Sequence, residues 1–257
     1  MGISGMKLCL NTVFTLWLRE MLRYKRSRSR IISSLATPLF FLVIMGSALG
    51  SSMTLRSGRY IDYMAPGIIG MSILFASLMG GISIIWDREF GFLKEILVAP
   101  VSRFYTALGK AAGGVTTALV QGVALMVISG FIGIEYVSIW RELLCIPIMF
   151  VMGLGFIGLG ITLASRIESH EGFQMMMTFI TFPTIMTSTA FYPMDNLPGW
   201  LSIPVHLNPL TYGVEALRWM LLDASDVPIE LSVAVITAFA LFTMGIGSWA
   251  FDRSGDQ

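Results

Sequence analysis

Long apolar runs recur along this chain and constrain its fold more than any other feature. The runs cover approximately residues 31–53, 61–86, 104–134, 142–165, 172–191 and 229–250. A helix of about 20 apolar residues crosses a hydrocarbon core. Because lipid offers no hydrogen-bond partners, a backbone that crosses it must satisfy its polar groups internally, as a helix does. The sequence therefore predicts an all-α membrane protein with six transmembrane helices.

The low charge content argues against a soluble domain and against nucleic-acid binding. Only 13% of the residues are charged, whereas about 25% is usual in soluble domains. The formal net charge is +1, so the chain has no basic field that would attract nucleic acid. A basic segment of roughly 30 residues precedes the first apolar run, unlike the short basic start of a secretory signal.

Cations are unequally distributed between the two sides of the predicted helices. Of the 17 Lys and Arg residues, 13 fall on the side that holds both termini. The others are Arg56, Arg59, Arg141 and Arg218. Loops rich in Lys and Arg stay in the cytoplasm. We therefore expect a multi-pass membrane protein with both termini cytoplasmic.

The pattern divides the chain into three parts. Residues 1–30 predict a cytoplasmic amphipathic interfacial helix, because apolar residues recur at helical spacing while Arg19 and Arg23 fall on or near the other face. Residues 31–253 form the six-helix transmembrane domain. Residues 254–257 are a short cytoplasmic tail.

Small residues at helical spacing mark the fourth predicted transmembrane helix. Gly153, Gly160 and Ala164 share one face of it. Small side chains let neighbouring helices approach closely. We expect this face to pack inside the chain rather than to form a dimer seam.

A short amphipathic helix is predicted over residues 87–103, between the second and third transmembrane helices. Phe92, Leu93 and Ile96 can anchor a helix-in-groove contact with a partner protein. The polar rim of this contact comprises Glu89, Lys94, Glu95 and Arg103. A second, smaller contact surface is the turn at residues 166–172, with Glu168 and Glu171.

A helix that is too short to cross the membrane is predicted at residues 209–222. It would extend about 21 Å, whereas the hydrocarbon core is roughly 30 Å thick. Together with the stretch before it, this helix predicts a re-entrant hairpin over residues 192–223 on the extracytoplasmic side. Irregular backbone is tolerated at membrane depth only where protein or water covers it, so we expect the tip of the hairpin to be buried.

Specific residues shape the two arms of this hairpin. The first arm begins near Asn196 and Pro198, and Pro204 is expected to break it. Asn208 can cap the second arm, whose first turn suits Pro209. In the second arm, two charged residues three positions apart can pair on one helix face: Glu215 and Arg218.

The sequence carries no energy-converting motif of its own. The closest approach to a phosphate-binding loop is Leu108-Gly109-Lys110-Ala111, which lacks the first glycine and the hydroxyl residue of that motif. No pair of acidic residues lies at mid-bilayer depth, where ion-driven carriers usually have ionisable groups. A patterned helix nevertheless faces the cytoplasm. This combination favours a membrane subunit that is driven by a separate protein.

Three stretches resemble the permease subunits of ABC-2 type transporters. They are N-P-L-T-Y-x5-R at 208–218, FYPMDNLPGWLSIPVHL at 191–207 and LKEILVAPVSRFYTALGK at 93–110. The resemblance covers nearly the whole chain, and the motifs occur in the right order. One departure is Thr187, where an apolar or small residue is expected. The layout is most similar to that of drug and oligosaccharide exporters.

The resemblance implies a non-catalytic subunit of an ATP-driven exporter in the plasma (inner) membrane of a prokaryote. Two copies would pair, as a homodimer or a heterodimer, among membrane lipids, and would bind two copies of a cytosolic ATPase. This chain would bind no cofactor, since ATP and Mg²⁺ are held by the ATPase. The cargo would be an amphipathic drug, lipid or lipid-linked glycan. Segment 87–103 would be the coupling helix. The hairpin would be an outer gate, with signature residues Pro198, Asn208, Pro209, Tyr212, Glu215 and Arg218.

Two other classes of function stay open at this point. A membrane-embedded lipid-modifying transferase needs a nucleophile, a base or a metal site near the membrane surface. The candidate cluster for such an enzyme is Asp195, His206, Tyr212 and Glu215. The third class is an ATP-independent carrier or channel.

Overall fold

The computed structural model describes residues 3–50, 59–89, 103–167, 169–195 and 197–253. These ranges contain ten helices. They are α1 (Ile3–Arg26), α2 (Arg28–Gly50), α3 (Tyr60–Gly80), α4 (Ile82–Glu89), α5 (Arg103–Phe131), α6 (Ile139–Arg166), α7 (His170–Met186), α8 (Gly199–Leu207), α9 (Pro209–Leu222) and α10 (Ile229–Arg253).

Five helical stretches in the described part of the chain are long and apolar enough to cross a membrane. They are Arg28–Ala48, Tyr60–Asp87, Phe104–Phe131, Ile139–Arg166 and Ile229–Arg253. The fifth predicted transmembrane helix, 172–191, corresponds to α7, which has 17 residues. Its length of about 25 Å is less than the thickness of a hydrocarbon core. The all-α class is confirmed, but the count of six crossings stays a prediction.

The bundle has two ends, which we name the basic end and the hairpin end and identify by the contacts found there. At the basic end, α1 lies beside the end of α4, and the ring of Trp86 stacks on His170 at the start of α7. At the hairpin end, Tyr60 at the start of α3 donates a hydrogen bond to the carbonyl oxygen of Phe191, just after α7. The chain from α7 to Phe191 therefore runs from the basic end to the hairpin end.

Helix α3 is the centre of the bundle. It packs against α2, α5, α6 and α9, and 15 of its 21 residues are buried. A helix that is apolar on all faces is expected to be enclosed by others. In contrast, α2 and α10 bury only 17% and 22% of their most apolar windows, so they lie at the periphery of the chain.

Close packing of α6 depends on its small residues. A Cβ added at Gly160 would lie 2.8 Å from the backbone oxygen of Leu78, which leaves no room for a side chain. On another face, the hydroxyl of Thr243 in α10 donates to the carbonyl oxygen of Gly155 at 2.8 Å. The internal packing predicted for the face that carries Gly160 is confirmed.

Helix α1 packs along α5. Leu16 is buried, and a Cβ added at Gly109 would lie 2.9 Å from the Cβ of Leu16. The indole nitrogen of Trp17 donates to the hydroxyl of Thr116 at 3.0 Å. The opposite stripe of α1 is apolar and exposed, with Leu10, Phe14, Leu18 and Leu22. This arrangement suits a helix that has protein on one side and lipid on the other.

Candidate functional site

The hairpin at residues 197–223 consists of α8 and α9, which meet at Asn208. The side-chain oxygen of Asn208 accepts from the backbone N–H of Leu210 at 2.9 Å, and Pro209 occupies the first turn of α9. The predicted cap is therefore confirmed. The side-chain nitrogen of Asn208 also donates to the carbonyl oxygen of Thr184 and to the hydroxyl of Thr187, at 2.6 and 3.0 Å.

The tip of the hairpin is thus fastened to the end of α7. Asn208 is 6% exposed, in agreement with the expected burial of the tip. The hydroxyl of Thr187, which departs from the family pattern, supplies one of the two acceptors. A polar residue at that position therefore makes a helix contact instead of weakening one.

The two arms differ in burial. In α9, every residue from Leu210 to Arg218 is buried. In α8, Trp200, Ile203 and Leu207 form an exposed apolar stripe. The prediction that Pro204 breaks this arm is wrong, because α8 is helical from Gly199 to Leu207. Proline has no backbone N–H and therefore cannot donate to the carbonyl group four residues earlier. In α8 that carbonyl group lies in the first turn of a very short helix, so only one helical hydrogen bond is lost.

Helix α9 contains a buried ion pair between Glu215 and Arg218. Their side chains are 0% and 2% exposed, and a guanidinium nitrogen of Arg218 donates to a carboxylate oxygen of Glu215. The other oxygen of Glu215 accepts from the hydroxyl of Ser225 at 3.0 Å and from the backbone N–H of Asp226 at 2.8 Å. The pair that the i,i+3 spacing predicts therefore forms within the chain, away from solvent.

Arg218 also fastens the segment that follows α7. Its second terminal nitrogen donates to the carbonyl oxygen of Thr189 at 2.7 Å. The guanidinium carbon lies 3.8 Å from the centre of the Tyr63 ring, in cation–π contact. The hydroxyl of Tyr63 donates to the same Thr189 oxygen at 3.3 Å. Arg218 therefore joins α9, α3 and the 187–191 segment in one polar cluster, which we name the hairpin-end cluster.

Three of the four residues of the transferase hypothesis direct their side chains to other groups. Glu215 is engaged by Arg218, and the hydroxyl of Tyr212 donates to the backbone oxygen of His206 at 2.7 Å. The ring of His206 contacts the backbone oxygen of Ser202, also at 2.7 Å. Asp195 is exposed. In the described part of the chain, no group of three His, Cys, Asp or Glu residues could hold a metal ion.

At the basic end, most of the predicted coupling residues lie outside the described residues. These are Phe92, Leu93, Lys94, Glu95, Ile96 and Glu168. The structure does place the backbone on both sides of this segment, since α4 ends at Glu89 and α5 begins at Arg103. Glu171 is exposed in the first turn of α7.

A second buried ion pair lies beside this segment. The side-chain nitrogen of Lys110 in α5 donates to a carboxylate oxygen of Asp87 in α4, and also to the carbonyl oxygen of Ser83 at 3.2 Å. The two charged side chains are only 1% and 4% exposed. Arg19 in α1 donates to the same oxygen of Asp87 at 2.6 Å. Glu20 lies 3.2 Å from Arg19 and completes the group.

These four residues, Arg19, Glu20, Asp87 and Lys110, form what we name the basic-end cluster. Burial alone would lower the pKa of Arg19, but its hydrogen bond and charge interaction with Asp87, together with Glu20, raise that pKa above its ordinary value. The sequence pattern places Arg19 on or near the polar face of α1. In the structure this side chain points into the bundle and contacts Asp87. The cluster therefore ties α1, α4 and α5 together at the base of the 90–102 segment.

Sequence reasoning missed the basic-end cluster. Lys110 belongs to the incomplete phosphate-binding motif and ends the family stretch at 93–110, and it lies about two turns into an apolar run. A cation in such a run is costly unless it is paired. Asp87 follows the preceding apolar run, and so its negative charge, in a neighbouring helix, can pair with Lys110. This complementarity was the available signal.

The sequence is similar to known transport permeases over most of its length. The profile of the ABC-2 type transporter family matches residues 11–222. The putative transport permease ycf38 of Cyanophora paradoxa is 28% identical over 215 residues, which are 82% of this chain and 74% of that protein. Nodulation protein J of Rhizobium meliloti (strain 1021) is 26% identical over 230 residues, 88% and 87% of the two chains.

A further relative gives the same result. The inner membrane transport permease YadH of Escherichia coli (strain K12) is 25% identical over 232 residues, which are 88% of each chain. The family match includes the capped hairpin, its buried ion pair and the basic-end cluster. The resemblance found in the motifs is confirmed, and this chain belongs to the ABC-2 type transporter family of membrane transport permeases.

Proposed function

We propose that this chain is the membrane subunit of an ATP-driven exporter in the inner membrane of a prokaryote. Family membership implies an ABC transporter with an ATPase partner. Two copies of the chain, or one copy and a related chain, pair in the membrane and bind two cytosolic ATPase subunits. The ATPase holds ATP and Mg²⁺ and performs the hydrolysis. In this proposal the basic end, with both termini, faces the cytoplasm, and the hairpin end faces outward.

The basic-end cluster is the observation that carries this proposal. Asp87 lies two residues before the end of α4, and Lys110 lies in the second turn of α5. Their ion pair joins the two helices that flank the predicted coupling segment. Arg19 adds α1 to the same carboxylate. A displacement of residues 90–102 by the ATPase is therefore transmitted to three helices together.

Two consecutive helices lead from this cluster to the hairpin. Helices α3 and α4 follow each other from Tyr60 to Glu89, with a single residue, Gly81, between them. One end carries Asp87 of the basic-end cluster, and the other carries Tyr63, which contacts Arg218. We propose that α3 and α4 move the hairpin as an outer gate over the exit path when the coupling segment moves.

The apolar surface of α7 supports an amphipathic cargo. An apolar stripe recurs at helical spacing along α7, and its side chains are exposed on the surface of the single chain: Met175, Phe179, Phe182 and Met186. This stripe reaches the 187–191 segment, which the hairpin-end cluster holds. A drug, a lipid or a lipid-linked glycan has an apolar portion that can follow such a surface, whereas a small ion does not. We assign the cargo to this class.

The coupling segment provides the experimental test. Leu93→Asp places a charge on the proposed apolar anchor, and Leu93→Met is the matched control that keeps it apolar. The transporter is purified with its ATPase and reconstituted in proteoliposomes. We expect Leu93→Asp to insert normally but to lose cargo-stimulated ATP hydrolysis and transport, while Leu93→Met retains both. Normal transport by Leu93→Asp would refute the coupling role.

Identification of the cargo requires a panel. Hydrolysis by the reconstituted complex is measured with hydrophobic drugs, glycolipids and polyprenyl-linked sugars, each over a concentration series. We expect one of these classes to stimulate hydrolysis and to be transported out of the compartment that contains ATP. Failure of any cytosolic ATPase to copurify with the permease would contradict the proposed function as a whole.

A further inference from the structure

A cavity of about 260 Å³ lies between α1, α2, α3 and α5, in the half of the bundle toward the basic end. Water occupies about 30 Å³ per molecule, so the space equals roughly nine water molecules. This volume suits the head group of a lipid rather than a whole lipid. The cavity is lined by Tyr24, Arg30, Ser33, Ser34, Thr37, Pro38, Met71, Ser72, Phe75, Ala76, Met79, Thr117 and Gln121.

Hydroxyl and amide groups form one side of this cavity. Ser33, Ser34 and Thr37 line it from the first turns of α2, and Thr117 and Gln121 line it from α5. The hydroxyls of Ser33, Ser34 and Thr117 donate to carbonyl oxygens of their own helices, so their oxygens can still accept hydrogen bonds. Such a wall suits a ligand that carries hydroxyl groups of its own.

One polar group of the cavity has no hydrogen-bond partner among the described residues. Ser72 of α3 is 1% exposed, and its hydroxyl forms no hydrogen bond to a described residue. Buried hydroxyl groups are nearly always paired, so an orphaned one calls for an explanation. A ligand oxygen in the cavity would supply the missing acceptor.

The charge of the cavity is positive. Arg30 stands at the start of α2, where the chain enters the membrane, and forms no ion pair with a described residue. A smaller cavity of about 20 Å³ shares Tyr24 and Arg30. Its other charged residues, Glu20, Arg23 and Lys110, are already engaged in ion pairs, so within the described part of the chain Arg30 supplies the free charge. Among the described residues, no carboxylate lines the larger cavity. The site therefore favours an anion over a cation.

The remaining wall is apolar and leads to the periphery of the bundle. Met71, Phe75, Ala76 and Met79 line it along one face of α3. Phe75 is 41% exposed, so the cavity is not closed on this side. An acyl chain attached to a head group in the cavity can leave between α2 and α3 along these side chains.

We propose that this cavity binds the phosphate-bearing head group of an anionic lipid in the leaflet at the basic end. The phosphate contacts Arg30, the hydroxyl groups of the head group contact the polar wall and Ser72, and the acyl chains pass along α3. This chemistry has two sources: a phospholipid that stays in the membrane, or a lipid that is itself transported. The site is independent of export, and only its assignment to cargo rests on the proposed function.

Binding is tested on the purified permease without its ATPase, so the result does not depend on the proposed function. Dioctanoyl phosphatidylglycerol is titrated calorimetrically against the protein in detergent. Dioctanoyl phosphatidylcholine and dioctanoylglycerol are the comparison ligands, without net charge and without phosphate. We expect the wild-type protein to bind the phosphatidylglycerol at least about tenfold more tightly than either comparison ligand. Dioctanoylglycerol lacks the phosphate that pairs with Arg30. Phosphatidylcholine keeps the phosphate but lacks the head-group hydroxyls, and it places a quaternary ammonium beside Arg30.

Variants locate the site. Arg30→Gln is expected to weaken phosphatidylglycerol binding at least about tenfold. Arg28→Gln is the matched control, since Arg28 is exposed on the same helix two residues earlier and does not line the cavity. Thr37→Val removes one hydroxyl at constant shape, and Ala76→Phe fills the cavity. Both should reduce the affinity, and Thr37→Val provides the test if Arg30→Gln does not fold.

A transport assay separates the two sources. Fluorescent phosphatidylglycerol is followed across proteoliposomes that contain the complete transporter. ATP-dependent movement that Arg30→Gln abolishes would identify the lipid as cargo, whereas bound lipid that is not moved would identify a resident phospholipid. The proposal is overturned if the three lipids bind alike, or if Arg30→Gln and Arg28→Gln bind phosphatidylglycerol with the same affinity as the wild-type protein.

Discussion

The hairpin end and the basic end each bury an ion pair, but the two pairs are assembled over very different sequence distances. Glu215 and Arg218 are one turn apart in α9. Lys110 and Asp87 are 23 positions apart, and Arg19 is 68 positions from Asp87. The first pair forms within one helix and then fastens a neighbouring segment. The second connects three helices that the sequence separates.

This difference bears on what each cluster can do. Breaking a buried ion pair leaves an uncompensated charge, at a cost of about 3–5 kcal/mol. At the hairpin end, that cost mainly destabilises the packing of α9 against α3 and the 187–191 segment. At the basic end, the same contacts hold the two helices that flank the coupling segment. We therefore expect hairpin-end variants to change stability most, and basic-end variants to change coupling most.

The largest effect is expected from Arg218→Ala. It leaves Glu215 buried beside only Ser225 and the backbone of Asp226, and should destabilise the protein by about 3–5 kcal/mol. Thermal unfolding in detergent measures this loss. The double variant Glu215→Gln with Arg218→Met leaves no unpaired charge and should recover much of the stability.

Export by Arg218→Ala distinguishes a gate from a folding element. If enough folded complex is obtained at low temperature, we expect export to be impaired while the ATPase remains bound. A complex that does not assemble would show instead that Arg218 serves folding. Wild-type stability of the variant would contradict the buried geometry of the hairpin-end cluster.

The next largest effect is expected from Asp87→Asn. It leaves Lys110 buried without a counter-charge, with only neutral oxygens as acceptors: the amide oxygen that the substitution introduces and the carbonyl oxygen of Ser83. The protein should be destabilised by about 3 kcal/mol. Because the variant separates α1 and α5 from α4, we expect ATP hydrolysis that no longer depends on cargo. Cargo stimulation of hydrolysis, measured beside the unfolding temperature, tests both parts of this prediction.

A smaller effect on stability is expected from Arg19→Gln. Asp87 keeps Lys110 as its partner, and the side chain of Arg19 is 26% exposed. The loss should be about 1 kcal/mol or less, as is usual for partly solvated pairs. Arg26→Gln is the matched control, because Arg26 is exposed near the end of the same helix. A large loss with Arg26→Gln would show that the net charge of α1, not the contact with Asp87, is responsible.

The smallest effect is expected from Arg141→Ala. This arginine pairs with Asp223 at 2.5 Å, but the two side chains are 30% and 57% exposed. Solvent screens such pairs, and we expect a change of at most about 1 kcal/mol. Unfolding temperatures of Arg141→Ala and Arg218→Ala, measured side by side, compare an exposed and a buried ion pair at the same end of the bundle.

Two structural features that depend on residues close together in the sequence were predicted correctly. Asn208 before Pro209 predicts a capped helix start, and the structure contains it. The i,i+3 spacing of Glu215 and Arg218 predicts their contact. Each of these features depends on residues within one or two turns of each other. Sequence spacing alone therefore determines whether they can form.

Features that depend on distant partners could not be predicted in the same way. The apolar run at 172–191 predicts a spanning helix, but α7 ends at Met186. The carbonyl oxygens of Thr189 and Phe191 then accept hydrogen bonds from Arg218 and Tyr60 instead of continuing a helix. The contact between Asp87 and Lys110 likewise depends on how α4 and α5 are placed.

The coupling role of the basic-end cluster is tested most directly by the number of cargo molecules transported per ATP hydrolysed. This number is measured in proteoliposomes for wild-type, Asp87→Asn and Arg141→Ala transporters at equal amounts of folded complex. We expect Asp87→Asn to lower this ratio at least about tenfold, because it removes a buried charge that pairs with Lys110. Arg141→Ala should leave the ratio unchanged. A wild-type ratio in Asp87→Asn would contradict the claim that the basic-end cluster couples ATP hydrolysis to transport.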